Sequence, residues 1–244
     1  MKKLNAKQTI VAVLSIVSAL LLVMVIILSC ALMRQKKNND IDYFSSKVLS
    51  FAMQNLNLSK GQIVFVGDSH IDLCALDNYY QDLSLATYNR GIGGDTTQGV
   101  LNRLDVSVFD IAPKAVVLMI GTNDVNFGIP PAVYFQNYEN IVRKIYENLP
   151  GVKLYLVSTP PLSETIPGIN VLYNTKKIVD LNLQIRYIAT SYGATFVNLF
   201  ANTANEKGFL IADYTSDNLH LNHEGYLVLS SLLKPLFKAD GAME

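Results

Sequence analysis

Several residue types that mark specialised classes of protein are scarce in this chain of 244 residues. It has no tryptophan, two cysteines and three histidines, and its 20 basic and 20 acidic residues give a formal net charge of +0. Two cysteines, Cys30 and Cys74, cannot form a disulfide framework, and so few Cys and His residues offer no pattern for a structural zinc site. We therefore expect no metal in this protein.

The charge pattern also argues against one class of partner. Basic residues do not gather into a stripe with interleaved aromatic side chains, which is the pattern of nucleic-acid-binding surfaces. We expect no nucleic acid partner, and the sequence leaves the oligomeric state open.

What the chain does have is one long run without a charge, Thr9–Met33. As a helix these 25 residues would be about 37 Å long, enough to cross a bilayer core of about 30 Å with some tilt. A core helix of a globular domain is seldom apolar on every side, so that interpretation is the weaker one. We predict a retained signal anchor that crosses the membrane once.

Two other kinds of signal sequence fit less well. A cleaved signal peptide has a shorter apolar core, about 7–15 residues, and a small-x-small cleavage site. A lipoprotein signal would carry its lipid on Cys30, since Ile27–Cys30 loosely resembles a lipobox, but Ala31–Met33 continue the apolar run. Three basic residues flank each end of the run, so the positive-inside rule does not decide the orientation. By analogy with anchored enzymes, we expect the following domain to lie outside the cytoplasm.

Beyond the anchor, short apolar segments alternate with longer helical ones. The predicted strands are Ile63–Val66, Ala86–Tyr88, Ala115–Ile120, Leu154–Val157 and Thr195–Val197. The predicted helices are Gln98–Phe109, Pro131–Asn148, Tyr173–Tyr192 and Glu224–Phe237. This alternation is typical of an α/β fold in which helices cover both faces of a mostly parallel sheet, here of five strands.

The predicted domain organisation has five parts. A short tail (1–8) precedes the anchor (9–33), and a polar linker running into an amphipathic helix fills 34–60. One domain spans 61–238, and a second short tail (239–244) ends the chain.

A serine follows the first predicted strand in Gly67-Asp68-Ser69. A turn at this place can raise the serine to the carboxyl edge of a parallel sheet, where open α/β folds bind ligands. A serine hydroxyl becomes a good nucleophile only when a base removes its proton. The motif alone is weak, because a plain turn has the same composition.

Two further segments follow later strands and could stabilise a negative charge. The first is Gly-rich and contains Gly94, where a backbone N–H can approach a ligand closely; its glycines lack the spacing of a dinucleotide-binding loop. The second contains Asn123, whose side-chain amide can donate to a developing oxyanion. Each could also be an ordinary turn or helix cap.

The segment before the last predicted helix supplies the base. Asp217 and His220 are three residues apart, so one turn can direct both at the same place, with the carboxylate orienting the imidazole. His223 competes for the role, but its neighbours favour a position at the start of a helix.

In their order and content these four segments resemble the GDSL, or SGNH, hydrolase family from about Gly61 to Phe237. The Gly-rich segment is most similar to the acetylhydrolase and lysophospholipase-like branch. The resemblance implies a three-layer, flavodoxin-like sandwich in which Ser69 is the nucleophile and Asp217 and His220 complete the triad. It also implies an oxyanion hole made by the N–H groups of Ser69 and Gly94 with the Asn123 amide. His70 departs from the smaller or aliphatic residue that many members carry, which puts the leaving-group side of the pocket in question.

The resemblance implies a serine esterase without a cofactor, acting on small acyl esters such as an acetylated sugar or a lysolipid. An O-acyltransferase acting on a glycan would use the same residues, because only water access to the acyl-enzyme separates the two outcomes. A non-catalytic anchored binding protein is a third alternative, but such a protein should lack the nucleophile, the base or an oxyanion donor. We expect the loop Ser163–Val171 to border the substrate pocket.

Overall fold

The computed structural model describes residues 6–241, in which five β-strands form one sheet with helices on both faces. The strands are β1 (Ile63–Gly67), β2 (Thr87–Gly91), β3 (Ala115–Met119), β4 (Lys153–Val157) and β5 (Thr195–Val197). The helices are α1 (Ala6–Asn55), α2 (Ser69–Asp72), α3 (Asp77–Tyr80), α4 (Thr97–Asn102), α5 (Leu104–Ser107), α6 (Thr122–Asn126), α7 (Pro131–Asn148), α8 (Val171–Tyr192), α9 (Leu199–Thr203) and α10 (His223–Ala239). The chain divides into two compact units between Lys47 and Val48.

Helix α1 is continuous where we predicted a linker at the start of 34–60. That part of the prediction is wrong, because residues 34–47 contain neither proline nor glycine and nothing in the local backbone interrupts the helix. The expected amphipathic segment is the end of the same helix, where Phe51 is buried.

No helix among the described residues has both the length and the apolar character needed to cross a membrane. The predicted anchor, Thr9–Met33, lies partly outside the residues whose side chains are described, namely at 9–13, 15–17, 19 and 20.

The sheet is entirely parallel, in the order β2-β1-β3-β4-β5, which confirms the α/β fold and the five strands. From β1 the chain passes first to β2 on one side and then to β3 on the other. The crevice at the carboxyl ends of β1 and β3 is therefore the switch point at which such sheets bind ligands.

Alternate residues of the strands enter two apolar layers, which makes the fold a three-layer sandwich. One layer joins residues such as Val66 and Leu118 to α7 and α8, and the other joins Phe65 and Val117 to α10. The central strands β1 and β3 read as continuous apolar runs because both faces of the sheet are covered there.

Two predicted elements, Pro131–Asn148 and Thr195–Val197, have the bounds that the sequence indicated. The predicted helix Gln98–Phe109 is wrong as one piece, since it divides into α4, α5 and a 3₁₀ turn at Phe109–Ile111. The division falls at Arg103, whose backbone leaves the helical region (φ −117, ψ 14) while its side chain turns inward to the sheet edge.

Candidate active site

The turn after β1 places Ser69 at the switch point. Gly67 is required here because a side chain would meet the carbonyl oxygen of Met119, 2.0 Å from an added Cβ. Asp68 then caps α2 by accepting the N–H of His70 at 3.0 Å, and Ser69 is the first helical residue. The sequence thus fixes a tight strand-to-helix turn that leaves the Ser69 hydroxyl half-buried.

The loop before α10 brings a histidine to this hydroxyl. His220 Nε2 lies 2.9 Å from Ser69 Oγ, although the two residues are 151 positions apart in the chain. His220 Nδ1 lies 2.6 Å from Asp217 Oδ2. The structure therefore joins the three predicted triad residues in one continuous series of hydrogen bonds.

Hydrogen bonds keep the Asp217 carboxylate ionised. Its Oδ1 accepts the backbone N–H groups of Leu219 (2.9 Å) and His220 (2.7 Å). Burial alone would raise the pKa of this carboxyl, but these bonds and the one to the imidazole lower the pKa to about 2. An ionised carboxylate only accepts, so Nδ1 carries the proton and Nε2 is left to accept from the serine hydroxyl.

The predicted oxyanion donors come from the ends of β1, β2 and β3. Gly94 is exposed and has φ +78, a conformation that favours glycine. Asn123 Nδ2 donates to the carbonyl oxygen of Asp95 at 2.8 Å, which holds the amide against the residue next to Gly94 and leaves its second N–H for another acceptor. Within residues 6–241, the backbone N–H groups of Ser69 and Gly94 donate to no other protein group.

A buried guanidinium, that of Arg103, holds the strand ends and the Gly94 loop in place. Arg103 Nε pairs with Asp95 Oδ2 at 2.8 Å, and both side chains are 2% exposed. The same guanidinium donates to the carbonyl oxygens of Gly67 and Arg90, each at 2.9 Å, and to Ser107 Oγ at 2.8 Å. It therefore joins the ends of β1 and β2 to the loop that carries Gly94.

Sequence reasoning missed this role of Arg103. The signal was a charged residue, next to Asn102, in a stretch whose other members (Val100, Leu101 and Leu104) are apolar, where a solvent-facing residue would be the usual interpretation. A second buried pair supports the same loop, since Asp124 accepts both the N–H and the hydroxyl of Thr97 (2.9 and 2.6 Å).

The other two histidines lie outside the series of hydrogen bonds. His223 is exposed at the start of α10, with Nδ1 3.1 Å from the hydroxyl of Tyr79. His70 is buried, its ring centre 5.5 Å from that of His220 and its carbonyl oxygen bonded to the Tyr226 hydroxyl at 2.8 Å. Because its side chain is buried, His70 does not line an open surface on which the leaving group of a substrate could rest.

Burial also shifts the protonation of the residues on both sides of Ser69. It lowers the pKa of His70 to about 3, an effect that the nearby His220 strengthens. It raises the pKa of Asp68 to about 7, against the hydrogen bond from His70 and with help from the charges of Asp95 and Asp124. Within residues 6–241, no three His, Cys, Asp or Glu side chains are placed to share a metal ion.

Comparisons with known proteins identify the family. The model of the GDSL-like lipase/acylhydrolase family matches residues 65–228. Bovine (Bos taurus) platelet-activating factor acetylhydrolase IB subunit alpha1 is 30% identical over 186 residues, which cover 73% of this chain and 78% of that protein. A solved structure from Streptococcus pneumonia, provisionally described as a platelet activating factor, has a TM-score of 0.77 and 27% identity, covering 84% of this chain and 97% of its own.

An acetylxylan esterase from Geobacillus stearothermophilus, solved as a catalytic mutant, shares the fold with a TM-score of 0.59 and 19% identity over 77% of this chain and 97% of its own. The relatives place this chain among ester-hydrolysing enzymes. It belongs to the GDSL-like lipase/acylhydrolase family.

The low pKa of His70 predicts a pH-dependent contribution to stability. Between the folded pKa of about 3 and the ordinary value of 6.5, the unfolded chain binds a proton at this position and the folded chain does not. Stability from His70 is therefore present above pH 6.5 and falls as the pH drops, by about 1.4 kcal/mol per unit. Asp68 acts in the opposite direction, since its raised pKa makes the folded state bind the proton.

The variant His70→Asn separates the two contributions. Its free energy of unfolding, measured with urea by circular dichroism, should rise relative to wild type by about 1.4 kcal/mol for each unit from pH 6 down to pH 4. Above pH 7.5 the difference between the two proteins should become constant, which is the internal control. Parallel curves between pH 4 and pH 6 would mean that His70 is not held neutral by the fold.

Proposed function

We propose that this enzyme is a serine esterase that removes small acyl groups, of the acetyl type, from a carbohydrate or a lipid. The proposal depends on one observation, the continuous series from Asp217 Oδ2 through the His220 imidazole to Ser69 Oγ at 2.6 and 2.9 Å. Two relatives described above are, by name, an acetylhydrolase and an acetylxylan esterase, which supports an acetyl-type group.

In the first step Ser69 Oγ attacks the ester carbonyl while His220 Nε2 takes the hydroxyl proton. The imidazolium that forms lies 2.6 Å from the Asp217 carboxylate, whose pKa of about 2 keeps it negative near neutral pH. Asp217 therefore stabilises the charge on His220 without taking the proton itself.

The tetrahedral intermediate places a negative charge on the former carbonyl oxygen. In this proposal the N–H groups of Ser69 and Gly94 and the second N–H of the Asn123 amide donate to it. One such donor is worth about 3 kcal/mol in a well-studied protease. Since Arg103 and Asp95 already fix the loop, little reorganisation is needed at the moment of reaction.

The intermediate collapses when His220 gives its proton to the leaving alkoxide, which departs as an alcohol and leaves the acyl group on Ser69. A water molecule then attacks this acyl-enzyme, with His220 again taking the proton. The second collapse releases the carboxylic acid and restores the Ser69 hydroxyl. Apart from the ester and this water molecule, the steps draw only on side chains and backbone groups of this chain.

We further propose that α1 anchors the enzyme in a membrane, with the domain outside the cytoplasm. The described side chains from Leu21 to Leu28 are all apolar and all more than half exposed. Such a surface is unfavourable in water, and the uncharged run that contains it is long enough to cross a bilayer core.

Replacing Ser69 with alanine tests the proposed nucleophile. In the full chain, Ser69→Ala should lower kcat for p-nitrophenyl acetate by at least about 10⁴-fold, since loss of the triad serine in a comparable enzyme costs about 10⁶-fold. Ser231→Ala is the matched control, because that hydroxyl lies exposed on α10 and bonds only to Val228 O. Activity within tenfold of wild type in Ser69→Ala would refute the mechanism.

Extraction of membranes with alkaline carbonate tests the anchor. The full chain should stay in the membrane pellet, because a spanning helix is not held by charge. Its release into the supernatant would contradict anchoring by α1.

A further inference from the structure

The last two turns of α1, residues 48–55, reach the edge of the sheet that carries the candidate site, and the catalytic steps above give them no role. They belong to the compact unit that begins at Val48, which also contains the triad. Phe51 is buried, whereas Leu49 and Met53 on the neighbouring positions of the same turns are exposed. One face of this segment is therefore held against the domain.

The Phe51 ring faces two buried guanidinium groups. The Cζ atom of Arg90 lies 4.8 Å from the centre of the ring, and that of Arg103 lies 5.9 Å from it. The face of an aromatic ring carries partial negative charge and attracts a cation within about 6 Å, more strongly where water is excluded. Because two buried cations repel each other, a ring that both of them face offsets part of the cost of burying them together.

Arg90 depends on the end of α1 for its hydrogen bonds. Its Nη1 donates to Gln54 Oε1 and its Nη2 to Asn55 Oδ1, each at 2.9 Å, and Nη1 also donates to the carbonyl oxygen of Asn89. None of the ion pairs among the described side chains includes Arg90. Neutral oxygens and the negative end of the α1 dipole therefore compensate its buried charge.

Asn55 also joins α1 to the segment that follows Arg103. Its Nδ2 donates to the carbonyl oxygen of Val106, in α5, at 2.7 Å. The amide of Asn55 thus holds Arg90 through its oxygen and α5 through its nitrogen. The end of α1 therefore touches both the Arg103 side chain and the backbone just beyond the helix break at Arg103.

Arg103 connects these contacts to the predicted oxyanion donors. Its guanidinium pairs with the Asp95 carboxylate and donates to the carbonyl oxygen of Arg90. Asp95 follows Gly94 in the chain, and its carbonyl oxygen holds the amide of Asn123 at 2.8 Å. A shift of the guanidinium would consequently move both donors at once.

We propose that the end of α1, residues 48–55, positions the oxyanion donors Gly94 and Asn123. Phe51 is the central positioning residue, since its ring faces the guanidinium of Arg103 and forms no bond with the substrate. The inference rests on the proposed function, because it concerns the charge that develops on the ester oxygen. Helix α1, proposed above as a membrane anchor, then has a second function at its C-terminal end.

Phe51→Leu in the full chain tests the proposal, since leucine keeps an apolar contact and removes the face of the ring. We expect kcat for p-nitrophenyl acetate to fall about tenfold with KM nearly unchanged, a part of the roughly 10²–10³-fold that loss of one oxyanion donor costs. Phe51→Tyr keeps the ring and should restore kcat to within about twofold of wild type.

A trifluoromethyl ketone reports on the oxyanion donors directly. Ser69 Oγ adds to its carbonyl carbon, the hydroxyl proton passes to His220, and the electron pair of the C=O double bond becomes an oxyanion where the reaction forms one. The inhibition constant in Phe51→Leu should rise by the same factor by which kcat/KM falls. An inhibition constant equal to that of wild type would overturn the proposal.

Phe237→Leu is the matched control for lost packing. Phe237 is also buried, but it lies in the other apolar layer, against Phe65 and Tyr80. Both leucine variants should lower the free energy of unfolding, whereas Phe237→Leu should leave kcat and the inhibition constant unchanged. Equal losses of kcat in the two variants would mean that Phe51 acts only through stability.

Asn55→Ala is a second variant, at a half-buried position where the threat to the fold is smaller. It removes the bonds to Arg90 and to Val106, so kcat should fall in the same direction by a smaller factor. This variant decides the matter if Phe51→Leu does not fold. Wild-type kcat in Asn55→Ala would then overturn the proposal.

The outcomes separate this inference from the esterase mechanism. If Ser69→Ala abolishes hydrolysis but Phe51→Leu keeps the wild-type kcat and inhibition constant, the positioning role is wrong and the mechanism stands. If hydrolysis survives in Ser69→Ala, the mechanism itself fails.

Discussion

The edge of the sheet that carries the candidate active site depends on the hydrogen bonds of one buried side chain, Arg103. Its guanidinium holds the carbonyl oxygens at the ends of β1 and β2 and the carboxylate of Asp95, all within 2.9 Å. Removing the guanidinium would leave Asp95 buried without a partner, and breaking a buried ion pair in this way typically costs about 3–5 kcal/mol. The turn that carries Ser69 and the loop that carries Gly94 are therefore fixed by the same group.

Around this edge, burial and hydrogen bonding give neighbouring groups different charges. Asp217 accepts hydrogen bonds from two backbone N–H groups and from the His220 imidazole and stays ionised, whereas burial favours the neutral forms of Asp68 and His70, the two residues adjacent to Ser69 in the chain. One negative charge is thus placed where it can stabilise an imidazolium at His220, and Asp68 and His70, on the other side of Ser69, add little to it.

Much of the fold could be predicted because it depends on local pattern. The apolar strands and the amphipathic helix Pro131–Asn148 follow from residues close together in the chain. The break at Arg103 could not be predicted in this way, because it depends on a contact with Gly67, 36 residues earlier. Ser69, Gly94 and Asn123 were predicted from their places after strands and Asp217 and His220 from their place before the last helix, but the burial of His70 depends on packing that brings it to Tyr226, 156 residues away.

The central claim is that Ser69 is the nucleophile and His220 its base. The most direct measurement is to treat the full chain with a fluorophosphonate and to locate the adduct by peptide mass spectrometry. A nucleophilic serine attacks the phosphorus of this reagent, and fluoride leaves. The account predicts one adduct, on the peptide that contains Ser69, and at least about a hundredfold slower labelling in His220→Ala, since general-base catalysis typically contributes 10²–10⁴-fold. Labelling of a different residue, or equally fast labelling of Ser69 without His220, would contradict it.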